Sequence, residues 1–464
     1  MTKLGVVGKE SFAGTFVYAV DTRSSGPLDL PVRVGSRLWA RRDRSMTEAT
    51  GQRAAELRDR LVSKLVNAGH ITSAAVEAAF RTVPRHLFAP EVSVEAAYAD
   101  DIVEIKRDER GALISTMSAP SIQALQLEQA EITPGMNVLE VGSGGYNAAL
   151  IAELVGTTGQ VTTVDIDPEV TDRASRLLEA AGYSRVRVVQ ADAENGVPEG
   201  APYDRILVTV GAWDIPPTWR RQLAPSGRLV VPLRMKGVTR SLALEVEDGR
   251  LVSRSVGICG FVRIQGEGRH DERMWLLRGK QVTLRFDDAV PSEPELLDGV
   301  LAREPVAAWS GVTVARAEPF GTLPFWLMTT LPGFCLLSVD PSDGGPGVAV
   351  EPGGRWFPFA AVEGDSFAYL SVRPSGNEDR VEFGAHGYGP HGGQVAKAIA
   401  EQVRQWDRDH RHGPGPRYEV WPADTPDDAL PDGTVIDKRH TRVTISWPHA
   451  GILAPNRAVQ PVDE

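Results

Sequence analysis

Three carboxylates and a glycine turn are the residues of this chain whose types and spacing could do chemistry. Gly142, Gly144 and Gly145 follow the apolar residues Val138, Leu139 and Val141, and Asn147 opens a helical pattern, Asn-Ala-Ala-Leu-Ile-Ala-Glu-Leu. Glycine there lets the backbone turn tightly and approach a ligand without a Cβ clash. A strand, a glycine turn and a helix in succession is how doubly wound α/β folds hold nucleotide-like ligands. Asp165 lies 20 residues past Gly145, at the end of the next apolar run, where a carboxylate accepts from ribose hydroxyls. Asp192 closes a third run and is placed to accept from an adenine amino group. Glu140, beside the turn, adds negative charge where a cationic ligand end would lie. The spacing is not the dinucleotide G-x-G-x-x-G, and a phosphate is poorly served among carboxylates. A ligand with ribose, adenine and a cation but no phosphate fits better, and S-adenosylmethionine is such a ligand. Helix caps and turns also favour Asp; the argument for a ligand is that all three acids keep register with the strands.

The elements that must position these residues alternate regularly. Strands are predicted at 137–141, 161–168, 186–190, 203–210 and 227–232, with helices at 169–181 and near 217–223. Gly182 is a C-cap signal. Segments 242–247 and 251–256 flank Asp248-Gly249, a hairpin signal. Such alternation ending in an antiparallel hairpin predicts an α/β fold of the class I methyltransferase type, Rossmann-like with a seven-stranded mixed sheet. Upstream, Leu57, Leu61, Leu65 and Val66 fall at helical spacing over 52–68, and further helices are expected at 73–82 and 121–131. The domains read as an N-terminal extension, 1–45, a methyltransferase domain, 46–275, with a helical cap over 46–120, and a second α+β domain, 276–464. The extension has strand candidates at 11–18 and 30–38 and receives no function. The second domain has short strands such as 281–286 and 311–315, and a late helix at 394–408 after the glycine-rich run 384–393, read as a loop. Phe325-Trp326-Leu327-Met328 reads as a buried strand, Trp326, Trp356 and Trp406 as core or interface aromatics, and the tail after Pro455 as frayed.

Composition narrows the classes. A formal net charge of −11 disfavours a nucleic-acid partner. Two distant cysteines, Cys259 and Cys335, read as buried free thiols rather than a disulfide or a metal site. No long apolar stretch predicts a membrane span, and the N-terminus has no apolar core with a cleavage site, so a cytoplasmic protein is expected. His386 and His391 are five residues apart, a poor spacing for a metal pair. The glycine-rich run before a helix has the character of an anion or peptide-carboxylate site. His86 reads as a packed structural histidine. The oligomeric state stays open.

The run Val83-Pro84-Arg85-His86-Leu87-Phe88-Ala89-Pro90, together with Ala97-Tyr98-Ala99-Asp100, segment 115–120, the glycine turn and segment 227–232, resembles the protein-L-isoaspartate O-methyltransferase family over about 50–268. The resemblance implies a class I methyltransferase, S-adenosylmethionine as methyl donor and a peptide carboxylate as acceptor. The family's Thr-Ile-Ser-Gln-Pro matches Thr116-Met117-Ser118-Ala119-Pro120, which places its active-site serine at Ser118. Spacing alone equally makes Ser118 a cap or turn residue before the next helix. The expected cofactor pocket comprises Thr116, Glu140, Gly142, Ser143, Gly144, Gly145, Tyr146, Asn147, Asp165, Ile166, Asp192, Ala193 and Thr209, with no metal.

The chain departs from the repair enzymes of that family. Where they carry Gly-His-Gly-Gln before the serine motif, this sequence has Asp108-Glu109-Arg110-Gly111-Ala112-Leu113-Ile114-Ser115, and Ala119 replaces the usual Gln. The glycine turn is one residue shorter, and simple repair enzymes lack the second domain. These features are similar to divergent family members associated with lanthipeptide and graspeptide gene clusters. That resemblance implies O-methylation of an Asp side chain in a modified, ring-bearing precursor peptide, leading through the ester to an aspartimide and then to isoaspartate on hydrolysis. Repair of isoaspartate and a non-catalytic binding role are the alternatives. If the second domain only recognises the peptide, its deletion should spare S-adenosylmethionine binding.

Overall fold

The N-terminal helices form because their apolar residues recur at three- and four-residue spacing. The structure, a computed structural model, describes residues 38–278, 282–287, 293–315, 318–339 and 358–448. Helix α1, Leu38–Asn67, starts earlier than residue 52 and buries Ala54, Leu61, Val62 and Leu65. Helix α2, Ala74–Thr82, is capped by Ser73, whose Oγ accepts from Val76 N–H at 3.3 Å. A 3₁₀ turn, Arg85–Phe88, and the short α3, Val94–Ala97, follow. Strands β1, Val103–Arg107, and β2, Leu113–Met117, pair as an antiparallel hairpin. Helix α4, Pro120–Ala130, begins with proline at its first position, where no hydrogen bond is lost.

The alternating part has β3, Asn137–Val141; α5, Tyr146–Val155; β4, Gln160–Asp165; α6, Pro168–Ala180; β5, Arg187–Gln190; β6, Tyr203–Val208; and α7, Pro217–Gln222. A meander of β7, Leu223–Met235, β8, Val238–Glu247, and β9, Arg250–Ile258, closes it. These seven strands lie in the order β5-β4-β3-β6-β7-β8-β9. The pairs from β5 to β7 are parallel; β7, β8 and β9 are antiparallel. This is a class I methyltransferase sheet.

The C-terminal half has β10, Arg273–Arg278; β11, Val282–Phe286; β12, Val306–Ala315; α8, Leu323–Thr330; β13, Phe334–Val339; β14, Phe359–Glu363; β15, Ser366–Ser375; β16, Asn377–Tyr388; and α9, Gly392–Asp409. Its strands form a second sheet, β10-β11-β13-β14-β15-β16-β12, antiparallel throughout. The last strands, β17, Arg417–Pro422, β18, Thr434–Asp437, and β19, Thr441–Ser446, do not join it. They add to the edge of the first sheet as β9-β17-β19-β18 and make it ten-stranded. The boundary expected at 276 therefore fails for residues 417–446: the free edge of β9 offers unpaired backbone groups that β17 satisfies.

Two further expectations change. Residues 325–328 lie in helix α8, not a strand. The run 384–393 is not a loop: it is the end of β16, a short turn and the start of α9. A Cβ at Gly387 would overlap the Gly392 carbonyl, and one at Gly384 the Trp309 ring, so these glycines permit close packing. Cys335 is buried and Cys259 partly buried, and both are free thiols. The candidates 11–18 and 30–38 (except Leu38, which begins α1), Trp356 and the tail after Pro455 fall outside the described residues.

From Arg53 onward the chain is one compact unit. One hydrophobic core runs from Leu139, Val141 and Val208 under the first sheet, through Leu233 and Met235, to Phe325, Phe383 and Trp406 between α9 and the second sheet. A second core holds α1, α2 and α4 against α5. Among the described residues no helix is long and apolar enough to cross a membrane, and no group of His, Cys, Asp or Glu could hold a metal.

Candidate functional site

The glycine turn after β3 is shaped by what touches it. Gly142 has φ 99°, and a Cβ there would lie 2.5 Å from Thr209 Oγ1. Thr209 Oγ1 donates to the carbonyls of Val141 at 3.0 Å and Gly142 at 3.2 Å, so it pins the turn to the end of β6. Ser143 N–H donates to Asp165 Oδ2 at 3.0 Å, and Asp167 N–H to Asp165 Oδ1 at 3.0 Å. Asp165, at the end of β4, is thus oriented toward the turn, and burial raises its carboxyl above the ordinary value.

Glu140 differs from the open negative charge expected of it. It is fully buried: Thr163 Oγ1 donates to Oε2 at 2.6 Å and Asn147 Nδ2 to Oε1 at 2.8 Å. Burial pushes its pKa up to about 7, against the pull of those two donors. It ties β3, β4 and α5 together before it does anything for a ligand. Asp192 accepts from Glu194 N–H at 3.0 Å and Glu267 N–H at 2.8 Å. It caps a 3₁₀ turn, yet a carboxylate has about four lone-pair sites, so capacity remains. The turn Gly266–Gly268 lies against Asp192 and Ile166, with Ile166 Cδ1 2.8 Å from where a Gly266 Cβ would stand.

On the other side of the turn lies Ser118. It follows β2 and precedes α4, whose N-cap is Ala119 with no side-chain cap, so the capping alternative for Ser118 is not realised. The serine is held through its carbonyl, which accepts from Arg85 Nη2 at 2.9 Å. Its own hydroxyl has no protein partner among the described residues. Arg85 is the residue that sequence reasoning missed. Fully buried, it also donates to Ala97 O at 2.8 Å, Gln123 Oε1 at 2.7 Å and Asp101 O at 3.3 Å, and stands 5.0 Å from the Tyr146 ring centroid. Burial lowers its pKa to about 10. An arginine inside an apolar, proline-bracketed run was the available signal. His86 beside it is half-buried, with Nδ1 2.9 Å from the Tyr98 hydroxyl.

Thr116, Met117, Ser118, Gln123, Gln126, Glu140, Gly142, Gly144, Asn147 and Thr209 line one small, partly open space of about 20 Å³. Residues from both sides of the site thus meet there. Two buried polar atoms at this turn, Ser143 Oγ and Asn147 Oδ1, have no hydrogen-bond partner. Unpaired buried polar atoms are costly; Ser143 bonds the Asp165 carboxylate through its N–H and Asn147 bonds Glu140, a donor and acceptor set suited to a ribose and an amino acid. The residues present therefore fit S-adenosylmethionine. Seven of the expected contributors, Ser143, Gly145, Tyr146, Asp165, Ile166, Asp192 and Ala193, do not line that space. Tyr146 is buried with Phe80 and Phe88, so it packs the helical cap and does not line the space. Gly145, φ 84°, has Phe88 Cδ1 as the nearest neighbour of a would-be Cβ, at 3.2 Å. Ala193 is buried, and its carbonyl accepts from Trp219 Nε1 at 2.7 Å.

Lys106 of the β1–β2 hairpin reaches the cofactor side, with Nζ 2.7 Å from Asp167 Oδ2 and 3.0 Å from Glu169 Oε2. His386 lies in β16 and His391 precedes α9; Asp365 Oδ1 is 3.0 Å from His391 Nδ1, and no metal-ligand group includes either.

The family model for protein-L-isoaspartate(D-aspartate) O-methyltransferase matches residues 56–268. The chain is 43% identical over 213 residues to a protein-L-isoaspartate O-methyltransferase of Methanopyrus kandleri, covering 45% of this chain and 92% of that one. It is 41% identical over 222 residues to one of Hyperthermus butylicus, covering 46% and 90%. Among solved structures, one named protein-L-isoaspartate O-methyltransferase is 23% identical with TM-score 0.44 and covers 78% of this chain and 96% of that one. A Plasmodium falciparum protein described in the same terms, in complex with S-adenosyl-L-homocysteine, is 18% identical with TM-score 0.39, covering 44% and 97%.

Proposed function

The chain belongs to the protein-L-isoaspartate O-methyltransferase family, and on that premise we propose that its acceptor is the side-chain carboxylate of an Asp residue in a ribosomally made, modified, ring-bearing peptide. The activity is S-adenosylmethionine-dependent carboxyl methylation. The cofactor supplies a methyl group on a sulfonium, ready for in-line transfer. A carboxylate is already ionised near pH 7, so the site needs little general-base help. Its task is alignment, worth about 7–11 kcal/mol in a well-oriented site. Ser118 holds the acceptor oxygen, Asp165 and Asp192 hold the ribose and adenine, and the free Ser143 and Asn147 oxygens face the same turn. Once the ester has formed, the following backbone nitrogen attacks its carbonyl and methanol leaves, giving the succinimide; water then opens that ring to isoaspartate or aspartate.

One observation carries the choice of acceptor. The departures at 108–115 and Ala119 fall on the acceptor side of the site. The altered stretch forms the turn and second strand of the β1–β2 hairpin that leads into Ser118, while Asp165 and Asp192 are kept. The second sheet is the candidate peptide-recognition element. Its edge strand β10 exposes Met274 and Leu276, at 60% and 56%, and an open edge can take an extended peptide as an added strand.

Isoaspartate repair is the second reading, favoured by 43% identity to a relative of that name. The intact acidic set speaks against a third, a non-catalytic binding protein; calorimetry with no S-adenosylmethionine binding would revive it. Mass spectrometry with a precursor peptide encoded beside the gene and with an isoaspartyl peptide separates the first two. Methylation of the isoaspartyl peptide alone would sink the Asp reading.

A further inference from the structure

Both backbone groups that hold the Asp192 carboxylate belong to residues gripped from the C-terminal end of the chain. Glu194 and Glu267 donate their N–H groups to Asp192 at 3.0 and 2.8 Å. The Glu267 carbonyl accepts from Arg439 Nη1 at 2.7 Å, and Glu194 Oε1 lies 2.8 Å from His440 Nε2. Arg439 and His440 sit in the turn between β18 and β19. That turn is itself anchored. His440 N–H and Thr441 Oγ1 donate to the Asp214 carboxylate at 2.6 and 2.5 Å, and Lys438 Nζ donates to Arg234 O at 2.8 Å while standing 4.5 Å from the Trp213 ring centroid.

We propose that Arg439 and His440 are positioning residues for the adenine end of the cofactor site. The proposal rests on the assignment of Asp192 to that end. An Asp side chain swings freely unless both oxygens are held. Here two backbone donors hold it, and each is fixed through a separate side chain of one turn. A carboxylate oriented in advance binds without the cost of ordering it. The three added strands thus complete the cofactor site as well as covering a sheet edge.

The test uses the full-length chain and calorimetry with S-adenosylhomocysteine. Arg439→Ala with His440→Ala should raise Kd about tenfold, with the peptide KM at saturating S-adenosylmethionine unmoved. With Arg439→Ala, His440→Gln in place of His440→Ala should bring the rise back to about threefold, because the Gln amide can still donate to Glu194. On an Asp192→Ala background, the double substitution should add less than twofold. If Asp192→Ala weakens binding but the turn substitutions do not, the positioning role is wrong and the assignment of Asp192 stands. Full additivity with Asp192→Ala also overturns the role. If Asp192→Ala leaves Kd unchanged, the assignment of Asp192 fails and the inference with it. Should the double variant not fold, Arg439→Ala alone, at an exposed side chain, should give about a threefold rise, and no rise overturns the proposal.

Discussion

At the scale of the residue, Ser118 and Glu140 make separable predictions. The Ser118 hydroxyl lies on the wall of the shared space with no competing protein partner. A hydrogen bond to a charged group is worth about 1.5–3 kcal/mol. Ser118→Ala should therefore lower kcat/KM for the peptide roughly 10- to 100-fold while leaving the Kd for S-adenosylhomocysteine unchanged; a weaker Kd would move the serine to the cofactor side. Glu140 predicts a pH dependence. Its folded pKa of about 7 lies above the ordinary 4.5, so between those values the folded state binds the proton and the unfolded state does not. Its contribution is most favourable below pH 4.5 and is lost as pH rises through 7, a decline of ~3 kcal/mol. Glu140→Gln, of the same shape, should become progressively more stable than the parent across that window in thermal melts. A pH-independent difference would show that the carboxyl is not held neutral.

At the scale of the element, the 3₁₀ turn Arg85–Phe88 organises the acceptor side. Its arginine joins that turn to α3, the start of α4 and Ser118 through four acceptors. Leaving buried hydrogen-bond acceptors unsatisfied costs about 1–3 kcal/mol. Arg85→Met should cost that much by denaturant unfolding. Arg85→Lys should recover little of it, because an ammonium cannot span a planar fork of acceptors. Loss of under 1 kcal/mol would mean that the network is not maintained in solution. The β1–β2 hairpin belongs to the same scale: Lys106 fastens it to Asp167 and Glu169 beside Asp165.

At the scale of the whole molecule, the C-terminal half is not an appendage. Its last strands continue the catalytic sheet, α8 and α9 share a core with β7, and the 438–441 turn touches residues beside Asp192. A chain ended near 275 would expose the edge of β9 and a broad apolar face. It should lose S-adenosylhomocysteine binding and aggregate in light scattering, contrary to the expectation that deletion spares the cofactor. A truncated chain that binds normally would restore the separate-domain picture.

The sequence by itself determined the parallel sheet, the glycine turn and the placement of Asp165 and Asp192. These are local facts: apolar runs of strand length, positive-φ glycine and an acid at each strand end leave few alternatives. Ser118 was legible only through the resemblance of Thr116-Met117-Ser118-Ala119-Pro120 to a family motif, since spacing alone equally made it a cap or turn residue. Only the tertiary structure decided what depends on partners distant along the chain. It showed Glu140 sealed by Thr163 and Asn147, and Tyr146 turned into the helical cap. It turned 325–328 from a strand into a helix, since a short apolar run fits either until its neighbours are known. It also sent β17 to β9, because a sheet edge is completed by whichever strand the fold brings to it, and no periodicity in residues 417–446 states which edge that is.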